Sequence, residues 1–451
     1  MMLNILFMTA DDLNWDSVGA YGCQTPEITP NIDLLASEGI RFEYAHVTIA
    51  VCQPSRGVLA TGRYPHRNGI EGFYHTDLEI ATLPDCLREA GYVCGILGKY
   101  DHSTPRLDFA WDMSKDQPDL GQGRDPALYY QYARSFFEEA QRQGRPFYLM
   151  ANSHDPHRPF SGSDQEREEW PNEQITPPSR TYRPEDVQVP GFLPDLPEVR
   201  REVAEYYSSA RRCDDTVGVL LRALEETGQA DNTLVIFLSD NGMAFPFAKT
   251  NCYLHSTKTP WIMRLPGVIQ PGGVDAKHFI SGIDLMPTIL DLLKLPLPDN
   301  LDGTSFLPVL KGDAQQGREH VCTQFHETAR YNRYPMRCIQ NKHYGYIFNA
   351  WSNGTRVFKN ESQEGRTFKA MQAASAADQS VADRVKLFQY RVVEELYDFE
   401  KDPDALHNLI HSPEHHVVAE QMRSDLETWM RSTNDPCLQA FLNRESAGER
   451  E

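Results

Sequence analysis

Cys52-Gln53-Pro54-Ser55-Arg56-Gly57-Val58-Leu59-Ala60-Thr61-Gly62-Arg63 is the stretch on which the reading of this 451-residue chain turns. Taken alone it is either a buried structural thiol opening a helix, or a reactive group at a helix N-terminus, where oriented N–H groups face an anion. Its surroundings say what kind of fold carries it. From the N-terminus to about residue 310, short β-branched or aromatic runs alternate with segments of helical period, the pattern of an α/β domain with a mostly parallel sheet. The spacing predicts strands over 4–9, 41–46, 92–97, 147–152 and 233–239. Between them Thr29 is placed to cap a helix with Pro30 at its first position. Val199, Val203, Tyr206, Ala210, Cys213, Val217, Leu220 and Leu224 make one apolar stripe at helical spacing, which is core packing.

A parallel sheet delivers the polar ends of its strands to one edge, where such folds bind ligands. Two ends stand out, Met8-Thr9-Ala10-Asp11-Asp12 and Leu238-Ser239-Asp240-Asn241-Gly242. Adjacent carboxylates after one strand and an Asp-Asn pair after the other supply hard oxygens suited to Ca²⁺ or Mg²⁺. Each pair alone also suits a loop or a helix cap.

Composition narrows the class. A chain of this length holds two or three domains with a large core, which excludes a disulfide-stapled or fibrous protein and makes a globular enzyme the default. The net charge of -20 repels polyanions, so neither nucleic acid nor an anionic membrane is an expected partner. The nine cysteines are odd in number and show no CxxC spacing, so neither a zinc finger nor a disulfide framework is suggested. The apolar stretch 3–8 is short and lacks the positive flank of a signal peptide, and no run reaches the length of a membrane span. As given, the chain is expected to be cytoplasmic; with a leader removed it would be periplasmic or secreted.

Residues 155–197 carry nine prolines and little periodicity, an ordered surface excursion whose Arg158, Arg180 and Arg183 suit a pocket wall. After Gly312 the pattern changes. Runs at 320–325, 336–340, 344–349 and 395–399 look like a small antiparallel sheet, followed by a helix over 413–431, while 355–390 is polar and carries no clear period. The expected division is a catalytic α/β domain over 1–312 and an α+β subdomain over 313–451.

The segment 52–63 resembles the sulfatase signature C-x-P-S-R-x-x-x-x-T-G, whose cysteine a maturation enzyme oxidises to formylglycine. The resemblance implies an alkaline-phosphatase-like fold and hydrolysis of sulfate esters or sulfamates. It also implies one divalent cation, Ca²⁺ with Mg²⁺ as the alternative, held by Asp11, Asp12, residue 52, Asp240 and Asn241. In the family mechanism a hydroxyl of hydrated formylglycine attacks sulfur and expels the alcohol or amine, and the second hydroxyl then releases sulfate. By motif match Arg56 holds the formylglycine, and Lys99 in Gly98-Lys99-Tyr100-Asp101-His102 is the lysine of G-K-x-H. The histidine falls one residue late, so His102 and Asp101 both stay open for its role. His154 in Ser153-His154-Asp155-Pro156-His157 matches the histidine that contacts the leaving group, and is expected to be a general acid near its ordinary pKa. His157 is either pocket wall or a structural hydrogen-bonding group. Lys249 stands where the family places a cation on sulfate.

Within the sulfatases, His154-Asp155-Pro156-His157-Arg158 and Tyr334-Pro335-Met336-Arg337 resemble the sulfamidase branch, with Phe245-Pro246 and Thr250-Asn251 in support, while the motifs from 395 onward, Asn434-Asp435-Pro436 among them, occur across sulfatases and mark the fold. This implies N-sulfoglucosamine of heparin- or heparan-type saccharides as substrate, with His157, Arg158, His326 and Arg337 binding it. Lys249 replaces an arginine expected in that branch and offers charge without a bidentate fork. Another sulfated glycan or an aryl sulfate therefore stays open, as does a phosphonate or phosphate monoester. The alternative outside enzymes is an inactive glycan-binding relative, which the presence of Asp11, Asp12, Cys52, Asp240 and Asn241 disfavours. The expected partners are the sulfated saccharide and the formylglycine-generating enzyme.

Overall fold

The first apolar run forms the middle of a sheet. In the computed structural model of the protein, which describes residues 3–444, strand β1 (Asn4–Asp11) is buried along its whole length between two parallel neighbours. Leu6 and Met8 enter one apolar core, Ile5 and Phe7 another. Both faces are covered, which is why the run shows no polar alternation. The following strands are β2 (Ile40–Phe42), β3 (Ala45–His46), β4 (Val93–Leu97), β5 (Met113–Lys115), β6 (Phe147–Pro156), β7 (Thr233–Ser239), β8 (Trp261–Arg264), β9 (Gly273–Asp275) and β10 (Ile280–Ser281). Eight strands make one sheet in the order β5-β4-β6-β1-β7-β8-β2-β9. Only β8 runs against its neighbours. The single strand expected over 41–46 is two: the chain turns at Glu43 and Tyr44, and β3 pairs with β10 outside the large sheet.

Helices Pro126–Gln143 and Pro197–Glu226 cover one face of the sheet, and every residue of the expected stripe in the second is buried. Leu83–Glu89 and Leu285–Leu293 pack on the other face. Thr29 does precede the helix Pro30–Glu38, but its hydroxyl caps no helix N–H; it donates to Asp33 Oδ1 at 3.1 Å and accepts from Gly19 N–H at 2.8 Å.

The antiparallel sheet β11 (His320–Glu327), β12 (Arg333–Asn341), β13 (Tyr344–Asn349) and β14 (Glu394–Asp398) follows in simple order. One face, with Ile339, Tyr346 and Leu396, packs on the helix His416–Ser432. The other sends Phe325, Met336, Ile347 and Tyr397 into the core that also holds the helix Pro197–Glu226, so the two sheets share apolar packing across residue 312. The polar segment without clear period contains two helices, Arg366–Ala374 and Gln379–Tyr390. Among the described residues no helix is long and apolar enough to cross a membrane.

Candidate active site

β1 and β7 are neighbours, so their carboxyl ends bring Asp11, Asp12, Asp240 and Asn241 to one edge of the sheet. All four are fully buried, and one oxygen each of Asp11, Asp12 and Asp240 lies within 4.8 Å of the others. Asp12 N–H donates to Asp240 Oδ1 at 3.1 Å, and Asn241 Nδ2 donates to Asp12 Oδ1 at 2.7 Å. That leaves Asn241 Oδ1 buried without a hydrogen-bond partner. Gly242 is required beside it, because a Cβ there would sit 1.9 Å from the His255 carbonyl oxygen.

The helix Cys52–Thr61 points its first residue at this centre, with no side-chain cap ahead of it. Cys52 Sγ donates to Asp11 Oδ1 at 3.3 Å. Four residues on, and so on the same helix face, the fully buried Arg56 donates from Nε to Asp240 Oδ2 at 2.9 Å. Its Nη1 donates to Thr9 Oγ1 at 2.9 Å and Asn152 Oδ1 at 2.7 Å. Two ammonium groups flank the carboxylates. Lys99 Nζ pairs with Asp11, and Lys249 Nζ lies 2.9 Å from Asp12 Oδ1 and 2.5 Å from Glu361 Oε1. Asp12, Lys99 and the β-branched Thr250 all have positive φ, of 68°, 53° and 66°; strain of this kind gathers where a fold must aim particular groups.

Burial pushes Asp12 up to about 7; Lys249 opposes this, and the charges of Asp11 and Glu361 add to it. Asp240 is likewise pushed up to about 7 by burial and by Asp11, against the pull of Arg56. Burial would raise Asp11 too, but Lys99, His157, Arg56 and Lys249 together hold it well below the usual carboxylate range. Burial and the Asp11 charge hold the Cys52 thiol protonated, well above its ordinary value. Three crowded carboxylates and a bare amide oxygen form an all-oxygen donor set, which fits a hard divalent cation. A cleft of about 640 Å³ opens beside the start of the helix Cys52–Thr61, lined by Val51, Phe73, Thr250, Asn332, Lys359 and Glu361 among others.

A family model described as Sulfatase matches residues 3–295. The chain belongs to the sulfatase family. A second model, N-sulphoglucosamine sulphohydrolase, C-terminal, matches residues 244–358 of this sulfatase. The chain is 31% identical to the human N-sulphoglucosamine sulphohydrolase, covering 96% of this chain and 91% of that one. It is 28% identical to an ulvan-active sulfatase of Formosa agariphila, covering 96% and 80%. A solved structure in complex with its substrate D-glucosamine-2-N,6-O-disulfate superposes with a TM-score of 0.72 at 19% identity, over 97% of this chain and 99% of that one. The phosphonate monoester hydrolase of Agrobacterium radiobacter gives 0.70 at 18% identity, over 96% of each chain. The alkaline-phosphatase-like sulfatase fold is thus present, and it alone does not separate sulfur from phosphorus chemistry.

The histidines of this sulfatase divide differently from the motif reading. His154 Nε2 accepts the Lys99 N–H at 3.2 Å, which places the proton of the neutral ring on Nδ1. Burial, then Lys99 and Arg124, hold it well below its ordinary pKa, and its Nε2, taken by the Lys99 N–H, is not free to present a proton to a leaving group as the expected acid would. His157 is the imidazole that faces the centre. Its Nδ1 donates to the Arg158 carbonyl at 2.6 Å, and a ring nitrogen, Asp11 and Cys52 lie mutually within 4.8 Å. The extra residue after Lys99 is absorbed by the turn Tyr100–Ser103: Asp101 is exposed, while His102 turns inward against Phe73 with Nδ1 unpartnered. Burial, then Lys99, lowers His102 to about 2.

Three expected substrate contacts are occupied elsewhere. Arg158 lies 2.6 Å from Glu202 and donates to the Ala244 carbonyl. His326 is fixed by Gln324 at 2.5 Å and Glu71 at 3.0 Å. Arg337 is fully buried with both arms on Asp435, at 2.5 and 3.0 Å. In the excursion, Arg180 pairs with Glu27 and Arg183 with Asp186 on the surface, so neither builds a pocket wall. Arg337→Met is expected to leave Asp435 as a lone buried charge and cost about 3–5 kcal/mol in urea unfolding. The KM of the folded protein should stay within about twofold of the parent; a large rise would return Arg337 to the substrate site. Glu361, Thr9 and Asn152, absent from the motif reading, complete the centre.

Proposed function

We propose that this sulfatase removes the sulfo group from a sulfated sugar, with N-sulfoglucosamine of heparin- or heparan-type saccharides preferred. In this reading residue 52 works as formylglycine, installed by a maturation enzyme, and one divalent cation is held by Asp11, Asp12, Asp240 and Asn241, with Ca²⁺ favoured over Mg²⁺. The observation that carries it is the alignment with N-sulphoglucosamine sulphohydrolase along both halves of the chain, including 244–358, where the matching family model bears that enzyme's name. The ulvan-active relative keeps an O-sulfated glycan as the second reading.

When bound, the dication and the hydrated aldehyde supply charge neutralisation and a hydroxyl nucleophile. The chain's own residues do the rest. Lys99 spends one contact on a carboxylate and Lys249 two, on Asp12 and Glu361, and each keeps a further N–H donor for sulfo oxygens. Arg56 reaches no substrate; it fixes Asp240 and, through Thr9 and Asn152, the ends of β1 and β6. His154 orients Lys99 by accepting its N–H. His157 carries the proton for the leaving atom at Nε2, because its Nδ1 is already committed to the Arg158 carbonyl. Burial, then Lys249, lowers it to about 4, so the ring rests neutral with its one proton on Nδ1, and Nε2 must take up the proton it passes to the leaving atom.

His157→Ala is therefore expected to lose about 10²–10⁴-fold in kcat on a sugar substrate, whose leaving group needs a proton, and far less on an activated aryl sulfate. Equal losses would count against the role. The substrate reading is tested by kcat/KM of the matured enzyme on N-sulfoglucosamine, 4-nitrophenyl sulfate and an aryl phosphonate. The first should be the best substrate relative to its uncatalysed rate; preference for the phosphonate sinks the proposal.

A further inference from the structure

Glu361 belongs to none of the family motifs, yet it stands at the centre. It opens the turn Glu361–Gln363 in the polar segment between β13 and β14, and its neighbour Asn360 ties that turn to the site by donating to Thr250 Oγ1 at 2.6 Å. Glu361 Oε1 sits 2.5 Å from Lys249 Nζ, and the side chain is one-third exposed (33%) in the wall of the cleft. Its carboxylate shares a cluster with Asp12 and His157, ligand atoms mutually within 4.8 Å, and His157 shares another with Asp11 and Cys52. Only one imidazole therefore separates Glu361 from the nucleophile. Among the described residues, no side chain or backbone N–H donates to its second oxygen, Oε2.

A carboxylate in the wall of a sulfo-binding cleft repels the sulfo oxygens unless it addresses another part of the substrate. Beyond sulfur lies the bridging atom, and there the candidate substrates differ. In a sulfamate, R–NH–SO₃⁻, that atom carries a hydrogen. In a sulfate ester, R–O–SO₃⁻, it carries none and presents lone pairs. An anionic acceptor beside it forms a charge-assisted hydrogen bond with the first and repels the second. The preference grows as the reaction proceeds. The S–N bond breaks with its electron pair going to nitrogen, and the overall change R–NH–SO₃⁻ + H₂O → R–NH₃⁺ + SO₄²⁻ leaves an ammonium where the N–H was. A carboxylate is suited to hold that cation. We propose that Glu361 selects nitrogen over oxygen as the atom bearing the sulfo group, with its free oxygen on the bridging N–H and the other on Lys249. The inference rests on the sulfamate reading above and names the residue that enforces it.

The test compares the matured parent, Glu361→Gln and Glu361→Ala on N-sulfoglucosamine and glucosamine-6-sulfate, with thermal midpoints recorded for each protein. Loosening Lys249 alone would lower both activities together, so the readout is the ratio of the two kcat/KM values. It is expected to fall about tenfold or more in both variants. Inhibition by the product glucosamine should weaken by a similar factor, while inhibition by glucose, which lacks the ammonium, should not change. An unaltered ratio and unaltered glucosamine inhibition would reduce Glu361 to a holder of Lys249 and overturn the inference alone. A parent enzyme that cleaves the 6-sulfate but not the N-sulfate would overturn the sulfamate reading, and the inference with it.

Discussion

Cys52→Ala is expected to reduce kcat by about 10⁴-fold or more on every substrate, with unfolding free energy within about 1 kcal/mol of the parent. The two readouts diverge because the side chain is small but sits against the proposed cation site. Its sulfur touches Asp11, and burial beside that carboxylate keeps the thiol protonated. A thiolate nucleophile is thus disfavoured in this site. Unmodified Cys52 protein should be nearly as inactive as the alanine variant, and activity in a preparation should track the fraction of residue-52 peptide that is lighter by about 18 Da, the thiol-to-aldehyde change. Full activity in protein whose residue 52 is wholly a thiol would end the proposed mechanism.

Arg56→Met is expected to lose both stability, about 3–5 kcal/mol in urea unfolding, and activity. Its guanidinium is the principal partner of Asp240 and bonds Thr9 and Asn152 in the same interior, so removal leaves a carboxylate beside Asp11 and Asp12 with its main counter-charge gone. Turnover should fall with it, since Asp240 is one of the proposed cation ligands. Adding Asp240→Asn to Arg56→Met removes the stranded charge and should recover part of the stability but none of the activity, a coupling read from the double-mutant cycle. Strict additivity of the two stability losses would show that the pair is not a unit.

These expectations draw unequally on sequence and on structure. β1 and β7 were legible because a strand covered on both faces must be apolar throughout, and their polar ends then fall on one edge. The segment 52–63 was legible because its spacing is rigid. Direction was not. His154 and His157 share one short motif, and only the course of β6, which runs to Pro156, shows that His157 faces Cys52 while His154 serves the Lys99 turn. Arg337 looked like a substrate reader because arginine near a motif usually is exposed; its partner Asp435 lies 98 residues further on, a pairing no local pattern encodes. Glu361 was hidden for the same reason, in a polar segment whose ordering depends on Thr250 and Lys249, more than a hundred residues earlier.

The loop that leads into Cys52 is closed by latecomers. Ala50 receives a backbone hydrogen bond from Thr250 at 2.7 Å and Thr48 one from Gln324 at 2.9 Å, and together with the sheet they leave Cys52 about 1% exposed. On a ribosome, the chain that will bury Cys52 emerges roughly 200 residues after it, an interval of roughly 10–40 s at about 5–20 residues per second. The residue is therefore open to an outside reagent for one fixed period in the life of each molecule, and closed afterwards. The spacing between residue 52 and its cover acts as a timer, and lengthening or shortening synthesis across that interval should change the fraction of chains that receive any modification there.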